Sequence, residues 1–184
     1  KSVTADTGMD VLTHAIEAYV SVMASDYTKG LSLQAIKLVF EYLRPSYEYA
    51  TEESREKMHN ASTIAGIAFA NAFLGMNHSL AHKIGGEFHV PHGKANAILL
   101  PHVIRYNGQV PGKLSTWPKY DYYKANLNYQ TVARTLGLPA ATPEEGVESL
   151  ACAVANLAKE IGINMNFEST GINEEDWNAN LKKI

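Results

Sequence analysis

The 184-residue chain predicts an all-α fold, a helical bundle domain of about seven or eight helices. Three observations carry this expectation. Apolar residues recur at three- and four-residue spacing along most of the chain, the signature of helices with one buried face. Runs that alternate apolar and polar residues, as strands do, are nearly absent. Helix-start signatures stand just ahead of several of the periodic segments.

The elements follow in order. Residues 7–24 set Leu12, Ile16, Tyr19, Val20 and Met23 on one helical face. Asp26 is the expected N-cap of a second helix, with Leu31, Leu33, Ile36, Val39, Phe40 and Leu43 inward. Pro45 is expected to end or kink it, because proline lacks the backbone donor and clashes with the preceding turn. Thr51 caps a third helix that opens on Glu52 and Glu53, favourable at the positive end of a helix dipole. From Ala61 to Leu74 that helix is apolar on most sides and reads as a buried core helix.

A fourth helix is expected over 78–87, broken by Pro91, and a fifth over 92–106 with Ala95, Ile98, Leu99 and Val103 inward. Residues 107–126, rich in proline, glycine and aromatics, read as an irregular connection anchored to the domain by its aromatic side chains. Thr142-Pro143-Glu144-Glu145 is the clearest helix start: Thr142 caps, Pro143 suits the first helical position, and Glu145 completes a capping box. That helix should run to about Ile161. Asn173 then caps a last helix whose first turn holds Glu174, Glu175 and Asp176.

Composition narrows the function classes. The length fits one domain over residues 1–184, and 46% apolar with 19% charged residues is globular. A net charge of −3 and a pI near 6.2 provide no basic field for nucleic acid or an anionic membrane. The most apolar stretch, residues 61–76, is short for a membrane span. The single cysteine, Cys152 in SLACAVANLA, excludes an intrachain disulfide, favours a reducing cytoplasm and reads as a small buried core residue. Any metal site must therefore use His, Asp and Glu. The start KSVTADTGMD has neither initiator Met nor signal-peptide pattern, and both ends read as cuts in a longer chain.

Two segments carry chemistry. Asp10 and His14, four residues apart, are offset by about 40° around a helix axis, so both side chains point one way and can serve one ion. Glu17 continues the same polar stripe, which also fits a plain solvated face. Four of the seven histidines (His78, His82, His89 and His92) fall within MNHSLAHKIGGEFHVPHG, residues 76–93. One carboxylate with three imidazoles suits Fe²⁺ or Zn²⁺ and leaves positions open for substrate. From the residues alone, His78 with His82 and His89 with His92 are equally good ligand pairs. His59 is expected at the solvent, and His102 in a hydrogen-bonded structural role.

GMDVLTHAIEAYVS (8–21) taken with MNHSLAHKIGGEFHVPHGKANAILLPHVIRYN (76–107) resembles the helical C-terminal domain of the iron-containing (group III) alcohol dehydrogenases. The likeness is strongest to the alcohol dehydrogenase module of bifunctional aldehyde–alcohol dehydrogenases, helped by the aromatic run STWPKYDYYKA. It extends over most of the chain, and the paired spacings D-x3-H and H-x3-H-x9-H are its diagnostic part. The resemblance implies metal ligands at Asp10, His14, His78 and His92, with Fe²⁺ or alternatively Zn²⁺ as the ion. It implies that His82 lines the cleft near substrate and nicotinamide as a catalytic residue, and that His89 is not a ligand.

The implied reaction is NAD(H)-dependent interconversion of a primary alcohol and its aldehyde, in a parent enzyme that forms a homo-oligomer. Two family features have no counterpart here: the N-terminal α/β nucleotide-binding domain with its glycine-rich turn, and a C-terminal Asn-Pro-Arg element. The chain is accordingly expected to bind metal without turning over alone. The competing classes are a helical His/Asp metal phosphohydrolase, a dehydroquinate-synthase-like enzyme and a non-catalytic helical assembly module. The first typically carries an adjacent His-Asp pair, which this chain lacks.

Overall fold

The computed structural model describes residues 1–110 and 124–180. Among the described residues there are eight α-helices and no strand: α1 Ser2–Val20, α2 Asp26–Glu48, α3 Glu52–Ala72, α4 Met76–Phe88, α5 His92–Asn107, α6 Ala125–Thr135, α7 Pro143–Glu160 and α8 Glu174–Asn180. A single 3-10 turn, Glu168–Thr170, precedes α8. No described helix is long and apolar enough to cross a membrane.

Helix α1 is the centre of the bundle, packing on α2, α3 and α5, while α5 and α6 both pack on α7. The main core joins Met9, Leu12 and Ile16 of α1 to Ile36 and Leu43 of α2, Leu100 and Ile104 of α5, and Leu150 of α7. Each fully buried side chain of this size contributes about 1.5–3 kcal/mol relative to its exposed state. The rigid centre therefore lies directly under the helix that carries Asp10 and His14.

Two glycines permit close crossings onto α1. A Cβ at Gly93 would lie 2.1 Å from the backbone oxygen of Asp6, so the first turn of α5 meets α1 backbone to backbone. This crossing brings His92 to within one turn of Asp10. A Cβ at Gly8 would lie 2.1 Å from Leu43 Cδ1, so α2 seats a core leucine in the gap.

Several expectations hold. Thr51 accepts from the Ser54 amide, Thr142 from the Glu145 amide and Asn173 from the Asp176 amide, each at the start of its helix. Glu145 reaches one residue further back than a capping box requires, accepting from the Ala141 amide at 2.6 Å.

Others are corrected. Helix α1 stops at Val20 rather than 24, because the Ser21 hydroxyl donates to the Ala72 carbonyl and draws the chain off axis, leaving Met23 exposed. The cap of α2 is Ser25, not Asp26: Ser25 and Thr28 form a reciprocal capping box and Asp26 occupies the first turn. Pro45 does not end α2, which runs on to Glu48. It lies in the last turn, where its own carbonyl accepts from the Tyr49 and Ala50 amides.

The stretch 61–74 is not buried on most sides. Its inward face is Ala61, Ala65, Ala68 and Ala72, small enough for close packing on α1 and α2, while Ile67 and Phe73 are exposed. Cys152 is exposed, not core, because α7 buries the face of Val147, Leu150, Ala151 and Val154 and turns the Glu148–Cys152 side outward. Helix α6 occupies the end of the expected irregular connection and continues beyond it. The core of that connection, with the aromatic residues Trp117 to Tyr123, lies outside the described residues.

Candidate metal centre

The site forms where α1, α4 and α5 meet. Asp10 and His14 stand one turn apart on α1, His78 opens α4, and His92 opens α5. Asp10, His14 and His78 each offer a donor atom, and those atoms lie within 4.8 Å of one another. His92 Nε2 lies 3.3 Å from Asp10 Oδ1, and the His92 ring sits 5.4 Å from that of His78. The site grades from buried to open: the His78 side chain is 3% exposed, His14 18%, Asp10 23% and His92 41%. One side therefore faces solvent while the other is held by the core.

Each donor is oriented by a neighbour. His14 Nδ1 lies 2.7 Å from the Asp10 carbonyl and donates to it, which leaves Nε2 with the lone pair. The His14 ring also packs against Phe69, centroids 4.6 Å apart. His78 Nδ1 contacts Glu17 Oε2 at 2.6 Å. Asn96 donates its side-chain amide to Asp10 Oδ1 at 2.6 Å and to His92 Nε2 at 3.0 Å. The orientation of that amide follows from its other end, where Asn96 Oδ1 accepts from Asn77 Nδ2 at 2.8 Å.

Electrostatics match the geometry. Burial works to raise the Asp10 carboxyl, but His78, His14, Asn96 and His92 outweigh it and hold it below the ordinary carboxylate value. Burial pushes His14 down, and the neighbouring His78 pushes it further. Burial likewise pushes His92 down, helped by His78 and His82. Burial also disfavours a charged His78, yet Asp10 and Glu17 reverse the effect and raise it. A carboxylate beside imidazoles kept neutral presents donors to a cation, although the His92 Nε2 lone pair is engaged by the Asn96 amide.

The residues fit a divalent metal. His78 Nε2 is buried with no hydrogen-bond partner among the described residues, although leaving such an atom unsatisfied costs about 1–3 kcal/mol. It faces Asp10 Oδ1 at 3.7 Å, too far for a hydrogen bond but suited to two ligands of one ion. The mix of one oxygen and three nitrogens matches Fe²⁺ or Zn²⁺.

His82 lies one turn beyond His78 on α4, exposed, with its ring 5.0 Å from His92 and 6.3 Å from His78. It borders the open side of the cluster. His89 is set apart as the left-handed C-cap of α4, at φ 56° and ψ 28°. His59 is exposed as expected. His102 is exposed as well, which removes the structural role expected for it, since α5 turns Leu100, Pro101 and Val103 inward instead.

Three participants escaped the sequence reading. Glu17 is not a solvated stripe residue but 4% exposed, accepting from the Asn77 amide at 2.7 Å and the His78 amide at 3.3 Å. Asn77 and Asn96, both fully buried, link α4 to α5. The available signals were spacing alone: Glu17 follows His14 by three residues, and Asn96 follows His92 by four.

The chain is similar to known proteins over nearly its whole length. Residues 4–183 match the model of the Fe-containing alcohol dehydrogenase family, C-terminal. An aldehyde-alcohol dehydrogenase of Streptococcus pneumoniae is 68% identical over 182 residues, covering 99% of this chain and 21% of its own length. The bifunctional aldehyde-alcohol dehydrogenase of Escherichia coli is 46% identical over 189 residues, covering 100% of this chain and 21% of its own. Among solved structures, an alcohol dehydrogenase from Oenococcus oeni superposes with a TM-score of 0.84 at 30% identity, over 99% of this chain and 45% of that one. The chain thus spans about a fifth of the length of these curated relatives. By sequence and by fold alike, it belongs to the iron-containing alcohol dehydrogenase family and corresponds to that family's helical C-terminal region.

Proposed function

We propose that this chain is the metal-binding part of an enzyme that interconverts a primary alcohol and its aldehyde by hydride transfer with NAD(H). Asp10, His14, His78 and His92 are the proposed ligands of a divalent iron, with Zn²⁺ as the alternative the same donors accept. The observation that carries this reading is the buried His78 Nε2, which has no hydrogen-bond partner among the described residues and faces Asp10 beside His14. The names of the relatives, aldehyde-alcohol dehydrogenases, support the reaction class.

When bound, the ion supplies Lewis acidity to the substrate oxygen. The chain's own residues supply the rest. Asp10 brings negative charge to the ligand set, and the core beneath α1 fixes its position. The graded exposure, from buried His78 to half-open His92, leaves the solvent side for the alcohol. Phe69 walls the His14 side with an apolar ring, which favours a carbon chain over water there. His82, on the open rim, is the proposed catalytic residue for positioning the substrate or relaying its proton.

Metal analysis and variants test this together. X-ray fluorescence at the iron and zinc edges on purified protein should show one ion per chain, lost in His78→Ala and kept in His82→Ala. In the full-length parent enzyme, His82→Ala should lower NAD-dependent alcohol oxidation with the metal retained. Loss of metal in His82→Ala with retention in His78→Ala would refute the assignment.

A further inference from the structure

We infer that Glu17 is a positioning residue for His78: one carboxylate both caps α4 and sets the ring tautomer that turns the Nε2 lone pair toward the cluster. The inference rests on the metal reading proposed above and extends it to a residue outside the ligand set.

The geometry starts with a helix that lacks its own cap. Helix α4 begins after Gly75, which has no side chain to satisfy the first amides, and no acidic residue stands in its first turn. Glu17 reaches across from α1 and supplies what is missing. Its Oε1 accepts from the Asn77 amide at 2.7 Å and its Oε2 from the His78 amide at 3.3 Å. A carboxylate there also meets the positive end of the helix dipole. A Cβ at residue 75 would come within 2.9 Å of Glu17 Oε1, so the glycine makes room for the carboxylate rather than for a turn of special dihedral angles.

The same Oε2 lies 2.6 Å from His78 Nδ1. Backbone amides only donate, and a carboxylate only accepts, so the proton in this contact is on Nδ1. In the neutral ring Nε2 then bears the lone pair, and it is that atom which is buried with no hydrogen-bond partner among the described residues. A carboxylate behind a ligating imidazole fixes ring orientation and raises ligand basicity. Here it does so from the residue that also anchors the first turn of the histidine's helix.

Glu17→Gln separates this role from packing, because it preserves shape. A glutamine has a single acceptor oxygen. If that oxygen keeps the α4 cap, the amide NH₂ faces Nδ1, which must then accept, and the ring proton moves to Nε2. If the oxygen turns to Nδ1 instead, the NH₂ opposes the backbone amides.

The test uses the metal-free protein with Zn²⁺ and Co²⁺ as probes, competed against a chromophoric chelator. Glu17→Gln should bind both ions about 10–100-fold more weakly, with its circular dichroism unchanged, and the Co²⁺ visible spectrum should shift. In the unsubstituted metal-free protein, ¹⁵N imidazole NMR recorded at a pH where the ring is neutral should place the single His78 ring proton on Nδ1. A folded Glu17→Gln variant with unchanged affinity overturns the inference. So does a neutral His78 whose single ring proton is on Nε2 in the unsubstituted protein, a measurement that stands even if the variant fails to fold. Failure of the unsubstituted protein to take up either ion overturns the metal reading itself, and that is seen before any variant is made.

Discussion

Asn96 and Asp10 join α5 to α1 through a 2.6 Å amide–carboxylate hydrogen bond, and the same amide nitrogen lies 3.0 Å from His92. Asn96 is fully buried, and its oxygen is taken by Asn77 at the start of α4. One side chain therefore ties together the three helices that carry the proposed ligands.

Removing that tie should cost both stability and metal. Asn96→Ala leaves the Asp10 carboxylate and the Asn77 amide short of a partner, a loss of about 1–3 kcal/mol. Metal affinity should fall about 10-fold as Asp10 loses its orienting donor. Asn96→Asp should be worse, since it sets an acceptor against Asp10 Oδ1. Thermal unfolding of the metal-free protein and chelator competition measure the two effects separately. Equal affinity in all three proteins would remove Asn96 from the site.

The crossing of α5 over α1 makes a second expectation. In Gly93→Ala the new methyl meets the Asp6 carbonyl at 2.1 Å, and neither helix backbone can yield locally. Overpacking of this kind costs about 1–3 kcal/mol, and the displaced α5 should carry His92 away from Asp10. Gly30→Ala is the control: it lies in α2 with nothing among the described residues within 4 Å of the added methyl. It should stabilise by about 0.4–1 kcal/mol through lower unfolded-chain entropy. Denaturant midpoints of the two variants should move in opposite directions.

These residues show what was legible beforehand. The helix starts at Thr51, Thr142 and Asn173 were readable because a cap is a local arrangement of three or four neighbouring residues. The likeness to a known family carried the choice of His78 and His92, since spacing alone left other pairs equal. Glu17 was not readable: its stripe looks solvated until α4 docks over it, a tertiary event that no helical period records. Asn96 offered only its four-residue spacing from His92 and Asn77 no pattern, because an amide is chosen by the contacts it joins. Cys152 was misjudged for a simpler reason. The alanine-rich run masks which face of α7 is buried, although Glu148 four residues earlier marks the outer face.

That outer face yields a pH expectation. Arg105 Nε and Nη2 bind the Glu148 carboxylate at 2.8 and 2.7 Å and, with help from Cys152, hold its pKa down from 4.5 to about 2. A carboxylate depressed on folding adds stability that is fully present above pH 4.5 and is lost as pH falls toward 2. Glu148 is 57% exposed, so solvent screening limits the pair to about 0.2–1 kcal/mol. The melting temperature of Arg105→Gln should therefore lie slightly below that of the unsubstituted protein at neutral pH and converge with it near pH 2. The gap at neutral pH should shrink in high salt. A gap that persists unchanged in acid would mean that the pair does not stabilise the fold through its charge.

Cys152 sits in the same group, and its chemistry follows from the two charges beside it. The Sγ donates to Glu148 Oε1 at 3.2 Å, while Arg105 Nη2 lies 3.6 Å away. The hydrogen bond to Glu148 raises the thiol pKa, burial adds to this, and Arg105 offsets only part of it. Alkylation proceeds through the thiolate, so an exposed thiol held protonated should react slowly at neutral pH despite its access to solvent. Glu148→Gln removes the negative neighbour and leaves Arg105 in place, so iodoacetamide should modify Cys152 severalfold faster. Arg105→Gln should slow the reaction below that of the unsubstituted protein. The three rates should draw together at alkaline pH, where the thiol is ionised in each. If Glu148→Gln reacts no faster at neutral pH, Glu148 does not control the thiol, and access to the sulfur sets the rate instead.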